Sequence, residues 1–264
     1  MIIRQLKKLY SQTTTVKLYL SSYFIFTNNN NQKPLQMQSQ NQLHIFEEIL
    51  LLALRDKQGT IFYDVHYPQA LAAALLAELL LIKKVELELN GKKKFVKLAD
   101  KKSTGSLLLD ECLQKISKSK RRARIENWVS RFANIPRLKH KAAQSLCNKG
   151  ILKMEERKVL LLFKHKKYPE INPRPEKQLI EKLRKAIFGA NKTIEPETVI
   201  LIAICEKTGI LKHLFDKQKL REKKKWIKEI ISGNLIGDAT KEAVEAMQAA
   251  IFTAVIIPAV ATSS

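Results

Sequence analysis

Three widely separated cysteines in 264 residues leave this chain no disulfide framework and no paired-cysteine metal site. Cys112, Cys147 and Cys205 each fall among apolar residues at helical spacing, which predicts reduced thiols inside a domain. The five histidines, His44, His66, His140, His165 and His213, show no metal-ligand spacing. Missing too are a nucleophile elbow, a phosphate loop, a dinucleotide fingerprint and an HExxH pair. These absences predict no enzyme, no cofactor and no metal. Glu78 alone stands out on an apolar stretch. A perturbed carboxylate and a buried, hydrogen-bonded structural one are both open there, the second being the commoner use. Leu18–Phe26 and the fourteen residues Gln69–Ile82 are too short to span a bilayer. No internal repeat is visible.

Acidic residues are also scarce: 25 stand against 48 lysines and arginines, a net charge of +23. A surface this basic attracts polyanions, whether nucleic acid, an anionic bilayer face or an acidic protein. Charge alone does not choose among them. Residues 1–41 carry Arg4, Lys7, Lys8, Lys17 and Lys33, the run Asn28–Asn31 and no acidic residue. They read as a poorly ordered basic leader, with a transit peptide or an upstream translation start before Met37 as alternatives. Residues 42–264 read as one domain.

The pattern after Leu43 is helical. Ile45, Phe46, Ile49, Leu50 and Leu52–Leu54 keep helix spacing, with Glu47 and Glu48 on the polar side and Asp56–Gly59 as the stop. Gln69–Ile82 is apolar nearly all round, which places it at the centre of a core. Val85–Leu89 and Lys94–Leu98 flank Asn90-Gly91, a strong hairpin signal. Helices follow around Leu109–Ile116, Ile125–Phe132 and Leu138–Leu146. Ile151–Met154 and Val159–Phe163 read as a second hairpin about the intervening EERK. Further helices are predicted at Leu179–Ile187, Val199–Cys205, Lys217–Ile231 and Ala239–Ala261. The fold class is mainly α: a compact helical domain around a central apolar helix, with one or two β-hairpins.

Two features bear on function. The helix after Pro136 begins with Arg137, Lys139, His140 and Lys141. A helix start offers unpaired N–H groups to an anion, and cations add charge-assisted hydrogen bonds. The plainer reading is a solvated basic face. The second feature is the run Val159–Phe163 followed by Lys164–Lys167. Such a run is either a strand buried on both faces or an apolar tip that enters a bilayer beside its lysines. The span Arg137–Phe163 also has the outline of a winged helix-turn-helix, making duplex DNA the runner-up partner. Ala142, Ala143, Leu146 and Cys147 are poor readers of base edges, which argues against nucleic acid.

The ordered blocks ILLLALRDKQGT, STGSLLLDECL and LCNKGIL resemble the Golgi phosphoprotein 3 family in sequence and spacing. The similarity runs from about Leu43 to about Ala261. The resemblance implies a mostly helical peripheral membrane protein, cytoplasmic and held at the cytosolic face of the Golgi. It implies a basic pocket for phosphatidylinositol 4-phosphate and an apolar hairpin that enters the membrane and mediates homo-oligomer contacts. It also implies an adaptor role toward cytosolic tails of membrane proteins. Carried over by residue, the head-group site falls on Tyr63, Arg137, Lys139 and Lys141. The hairpin falls on Glu155–Lys166, with Leu160, Leu161, Leu162 and Phe163 at its tip. Of the family's pocket arginines, one aligns with Pro136, one with Lys139 and one with Ala72. Phosphatidylinositol 4-phosphate recognition is therefore weakened more than binding to an anionic surface.

Overall fold

In a computed structural model of the protein, residues 42–55, 58–91, 93–159, 163–189 and 193–232 are described, apart from the side chains of 157–159 and 163–165. The predicted leader and the predicted helix Ala239–Ala261 lie outside these residues.

Helix α1 (Ile45–Ala53) opens the domain. It gives way at once to a minimal ladder, β1 (Leu54–Arg55) with β2 (Thr60–Ile61). The helix thus ends before the Asp56–Gly59 stop, and Leu54 belongs to a strand. Glu47 and Glu48 are not on a polar face. Glu47 is fully buried and Glu48 half-buried, because α1 is covered by helices on several sides.

Helix α2 (Tyr67–Leu81) has Pro68 in its first turn, where a missing N–H costs nothing. Its residues Ala70–Ala77, Leu79 and Leu80 are buried. This is the predicted central helix. It packs on α1, on α4 (Ile125–Ala133) and on α7 (Pro196–Thr208), itself buried almost throughout. Each leucine taken from water in this core contributes roughly 1.5–3 kcal/mol. Glu78 proves structural: it accepts from the Ile45 N–H at 2.7 Å and contacts His44 Nδ1 at 3.0 Å, thereby capping α1 from α2.

The first predicted hairpin is present as β3 (Val85–Asn90) and β4 (Lys93–Leu98), with Gly91 opening the connection. A third strand, β5 (Ala123–Arg124), joins the β4 edge. Between them lies α3 (Leu107–Ser117), which buries Leu109, Cys112, Leu113 and Ile116 on one face. Its entry is braced by Asp110, which accepts from Ser103 and Thr104. Helix α5 (Leu138–Asn148) follows α4 and packs on α1.

The second hairpin differs in register from the residue-level expectation. Its strands are β6 (Glu155–Val159) and β7 (Phe163–Lys167), with Val159 opposite Phe163. The EERK segment is thus the first strand and not the turn. Ile151–Met154 forms no strand; only Leu152 makes an isolated bridge, to Glu170. The Glu155–Lys166 span implied by the family resemblance coincides with the observed pair.

The remaining described helices are α6 (Arg174–Phe188), α7, α8 (Leu211–Leu214), α9 (Lys217–Glu222) and α10 (Lys224–Ile231). The predicted Lys217–Ile231 helix is broken at Lys223. Helix α7 ends at Gly209, whose φ of 84° suits a residue without a Cβ. The architecture is mainly α with small antiparallel ladders.

Candidate functional site

The basic helix start is built by a tight connection. Ile135 and Leu138 are both buried and fix the ends of a four-residue link from α4 into α5. The Leu138 N–H donates to the Ile135 carbonyl at 3.1 Å, and that of Lys141 to the Arg137 carbonyl at 3.0 Å. Between the two anchors, exposed Arg137 adopts φ 58° and ψ 31°, the left-handed region. A side-chain-bearing residue there costs roughly 1 kcal/mol against a right-handed one. The kink turns the Arg137 backbone at the very residue whose cation the resemblance places in the site.

The three cations of this turn are not equivalent. Arg137 is exposed. Lys139 is half-buried, and that burial lowers its ammonium pKa. Lys141 is committed to Glu111 of α3 at 2.6 Å. Ala72, where the family carries an arginine, is fully buried, so no phosphate reaches it.

Tyr63 lies in the connection between β2 and α2 and is 99% exposed. Its neighbours hold it there. Asp64 meets Lys212 and His213 of α8 at 2.7 Å each, and these contacts bring the Asp64 carboxyl down to about 2. Phe62 stacks on the His213 ring at 4.0 Å. Tyr63 is thus anchored toward α8. Among the described residues, no hydrogen bond or ion pair draws it together with the α5 cations.

The hairpin is coupled to α5 through its base. Tyr168, just past β7, is buried; its N–H donates to the Gly59 carbonyl at 3.0 Å and its hydroxyl meets His140 Nδ1 at 2.8 Å. Gly59 has φ 59°, and a Cβ there would lie 2.3 Å from the Tyr168–Pro169 backbone. The β1–β2 turn, the hairpin base and α5 therefore meet at one buried tyrosine. The Ile171 N–H adds a bond to the Ile151 carbonyl at 2.9 Å. Glu156 pairs with Lys166 across the strands at 3.4 Å. Of the expected tip, Leu160, Leu161 and Leu162 lie outside the described residues, and Phe163 opens β7.

The sequence profile described as Golgi phosphoprotein 3 (GPP34) matches residues 45–247. The chain belongs to the Golgi phosphoprotein 3 family. Vacuolar protein sorting-associated protein 74 of Schizosaccharomyces pombe is 29% identical to it over 145 residues, 48% of this chain and 43% of that protein. The matched part thus spans less than half the length of that curated relative. For a Golgi phosphoprotein 3 chain, the His140–Tyr168 contact is the feature that sequence reasoning missed. Its only signal was a histidine inside the basic cluster, 28 residues from its partner. The left-handed Arg137 was likewise unannounced.

Proposed function

We propose that this Golgi phosphoprotein 3 chain is a peripheral membrane protein that binds anionic phospholipid through the start of α5 and the β6–β7 hairpin. The observation that carries the reading is the Tyr168 junction. It fixes the hairpin base against α5, so a basic helix start and a candidate insertion element belong to one packed unit. Among the described residues no helix is long and apolar enough to cross a membrane, which fits attachment from one side.

Arg137 and Lys139 carry the head-group contact, with less from the neutralised Lys141. Tyr63 supplies an exposed aromatic wall, since an aromatic ring left 99% in water suits contact with another surface. Without the arginine replaced by buried Ala72, selectivity rests more on charge than on a bidentate fork. Phosphatidylinositol 4-phosphate is the favoured lipid by family, and the cytosolic Golgi face the favoured place. Homo-oligomer contact through the hairpin and an adaptor role for tails of membrane proteins complete the proposal. Duplex DNA is the weaker partner. The α5 side chains that a recognition helix would extend are engaged locally, Gln144 with Asn148 and Lys141 with Glu111.

An environment-sensitive fluorophore on a cysteine introduced at Leu161 tests the mode of contact. Its emission should move to the blue on vesicles containing phosphatidylinositol 4-phosphate and stay unchanged with duplex DNA. A label that remains in water on vesicles that have captured the protein would refute insertion of the hairpin.

A further inference from the structure

Helices α3 and α4 border an open cleft that the proposed membrane site does not use. It has a volume of about 510 Å³, and the C-terminal end of α3 and the outer face of α4 line it. Lys115, Lys118 and Arg131 bring three cations to it, and among the described residues lining it none is acidic. A larger surface hollow along α6 is different: there Lys182 and Lys185 are answered by Glu195 and Glu181.

Two details give the cleft a built character. The Arg131 guanidinium lies 4.6 Å over the Trp128 ring, and its Nη1 donates to Ser119 Oγ at 3.4 Å. Stacking and hydrogen bonding thus hold a mobile cation in one orientation before any ligand arrives. Trp128 itself is 2% exposed, and its indole N–H is buried without an acceptor. An orphaned buried donor is costly, and a ligand that brings an acceptor removes the cost. The donor set is three cations and an indole N–H, the Ser119 hydroxyl being spent on the Arg121 carbonyl at 2.8 Å. Against the partial negative charge of the α3 end it remains strongly positive.

We propose that this cleft binds a phosphate monoester, presented either by a small phosphorylated sugar or by a lipid head group. A monoester carries two negative charges and several acceptor oxygens, which match three cations and an unanswered N–H. The volume exceeds what a lone phosphate fills and leaves room for a polar body beside it.

Trp226→Phe leaves Trp128 as the single tryptophan of the chain. Its fluorescence is followed in the full chain as glucose 6-phosphate, glucose, or phosphatidylcholine vesicles with and without phosphatidic acid are added. A saturable response to glucose 6-phosphate and not to glucose assigns the site to a soluble monoester. A response only to vesicles containing phosphatidic acid assigns it to a lipid. In either case Arg131→Gln and Lys118→Gln should each weaken binding by about tenfold or more. Arg131→Lys, which keeps the charge and loses the planar stack, should weaken binding less than Arg131→Gln, which separates loss of charge from loss of fold. Arg137→Gln at the membrane site should leave the Trp128 response unchanged. No response to any phosphate probe, or a response that survives Arg131→Gln and Lys118→Gln, would overturn the proposal. So would a response that Arg137→Gln alone removes.

Discussion

Lys149→Met should destabilise this protein more than any change at its exposed lysines, because of what it leaves behind. Glu47 is fully buried on α1, and its carboxylate accepts from Lys149 Nζ at 2.5 Å and Ser145 Oγ at 2.6 Å, both on α5. It also accepts from the His44 N–H at 2.8 Å, closing the first turn of its own helix. Removing the lysine leaves the buried carboxylate its Ser145 and His44 donors but no countercharge. Breaking a buried pair from one side costs roughly 3–5 kcal/mol. Lys149 is 23% exposed, so water reaches that end of the pair and the lower figure, about 3 kcal/mol, is expected. Glu47→Gln keeps the shape and part of the hydrogen bonding and should cost about 1–2 kcal/mol. In the double variant the stranded charge is gone, so its cost should fall short of the sum by about 2 kcal/mol. Urea unfolding at neutral pH measures all three, provided the slope is unchanged. Additive losses, or a Lys149→Met penalty below about 1 kcal/mol, would refute the claim that this pair clamps α5 to α1.

Burial pushes Glu48 up to about 7, with Glu197, Glu78 and Glu47 adding to the rise and Lys182 opposing it. The folded state then holds a proton that the unfolded chain releases near 4.5, so stability should fall as pH rises from about 4.5 to about 7, by up to about 3 kcal/mol. Glu48→Gln should flatten that slope in urea melts, and an unchanged slope would contradict it. Gly59→Ala forces a Cβ into the Tyr168–Pro169 backbone at a positive φ; thermal unfolding should show a loss of more than about 2 kcal/mol, against about 1 kcal/mol for Gly91→Ala, which shares the positive φ but whose added Cβ meets nothing within 4 Å. Arg137→Gly should leave the melting temperature level or slightly raised, since glycine accepts the left-handed backbone, while weakening capture by anionic vesicles. Lys141→Gln should weaken that capture much less, because Glu111 already neutralises the lysine.

Much of the helical frame was legible because helix period and burial are local signals. The all-apolar stretch at Ala70–Ala77 could only be a core helix, and the Asn90-Gly91 pair marked its hairpin. What escaped were long-range partners. Glu47 reads as a surface residue beside Glu48 until Ser145 and Lys149, about a hundred positions on, come to meet it. Strand β5 is two residues long and exists only because the β4 edge is there to pair with. The second hairpin was misplaced by a few residues because the charged EERK segment resembles a turn. Its pairing of Glu155 with Lys167 and Glu156 with Lys166 is a cross-strand match that no single-strand pattern displays. At the candidate site the cations were visible in sequence. Their inequality was not, because it depends on Glu111 and on the backbone of Arg137.

Affinity for vesicles of matched charge, with and without phosphatidylinositol 4-phosphate, tests the central claim most directly. The wild-type chain should bind both at low salt, weaken as salt rises, and show a modest preference for the phosphoinositide. Arg137→Gln/Lys139→Gln should lose about tenfold or more on both while keeping the wild-type melting temperature. A folded double variant that binds both vesicle types as tightly as wild type would contradict the account.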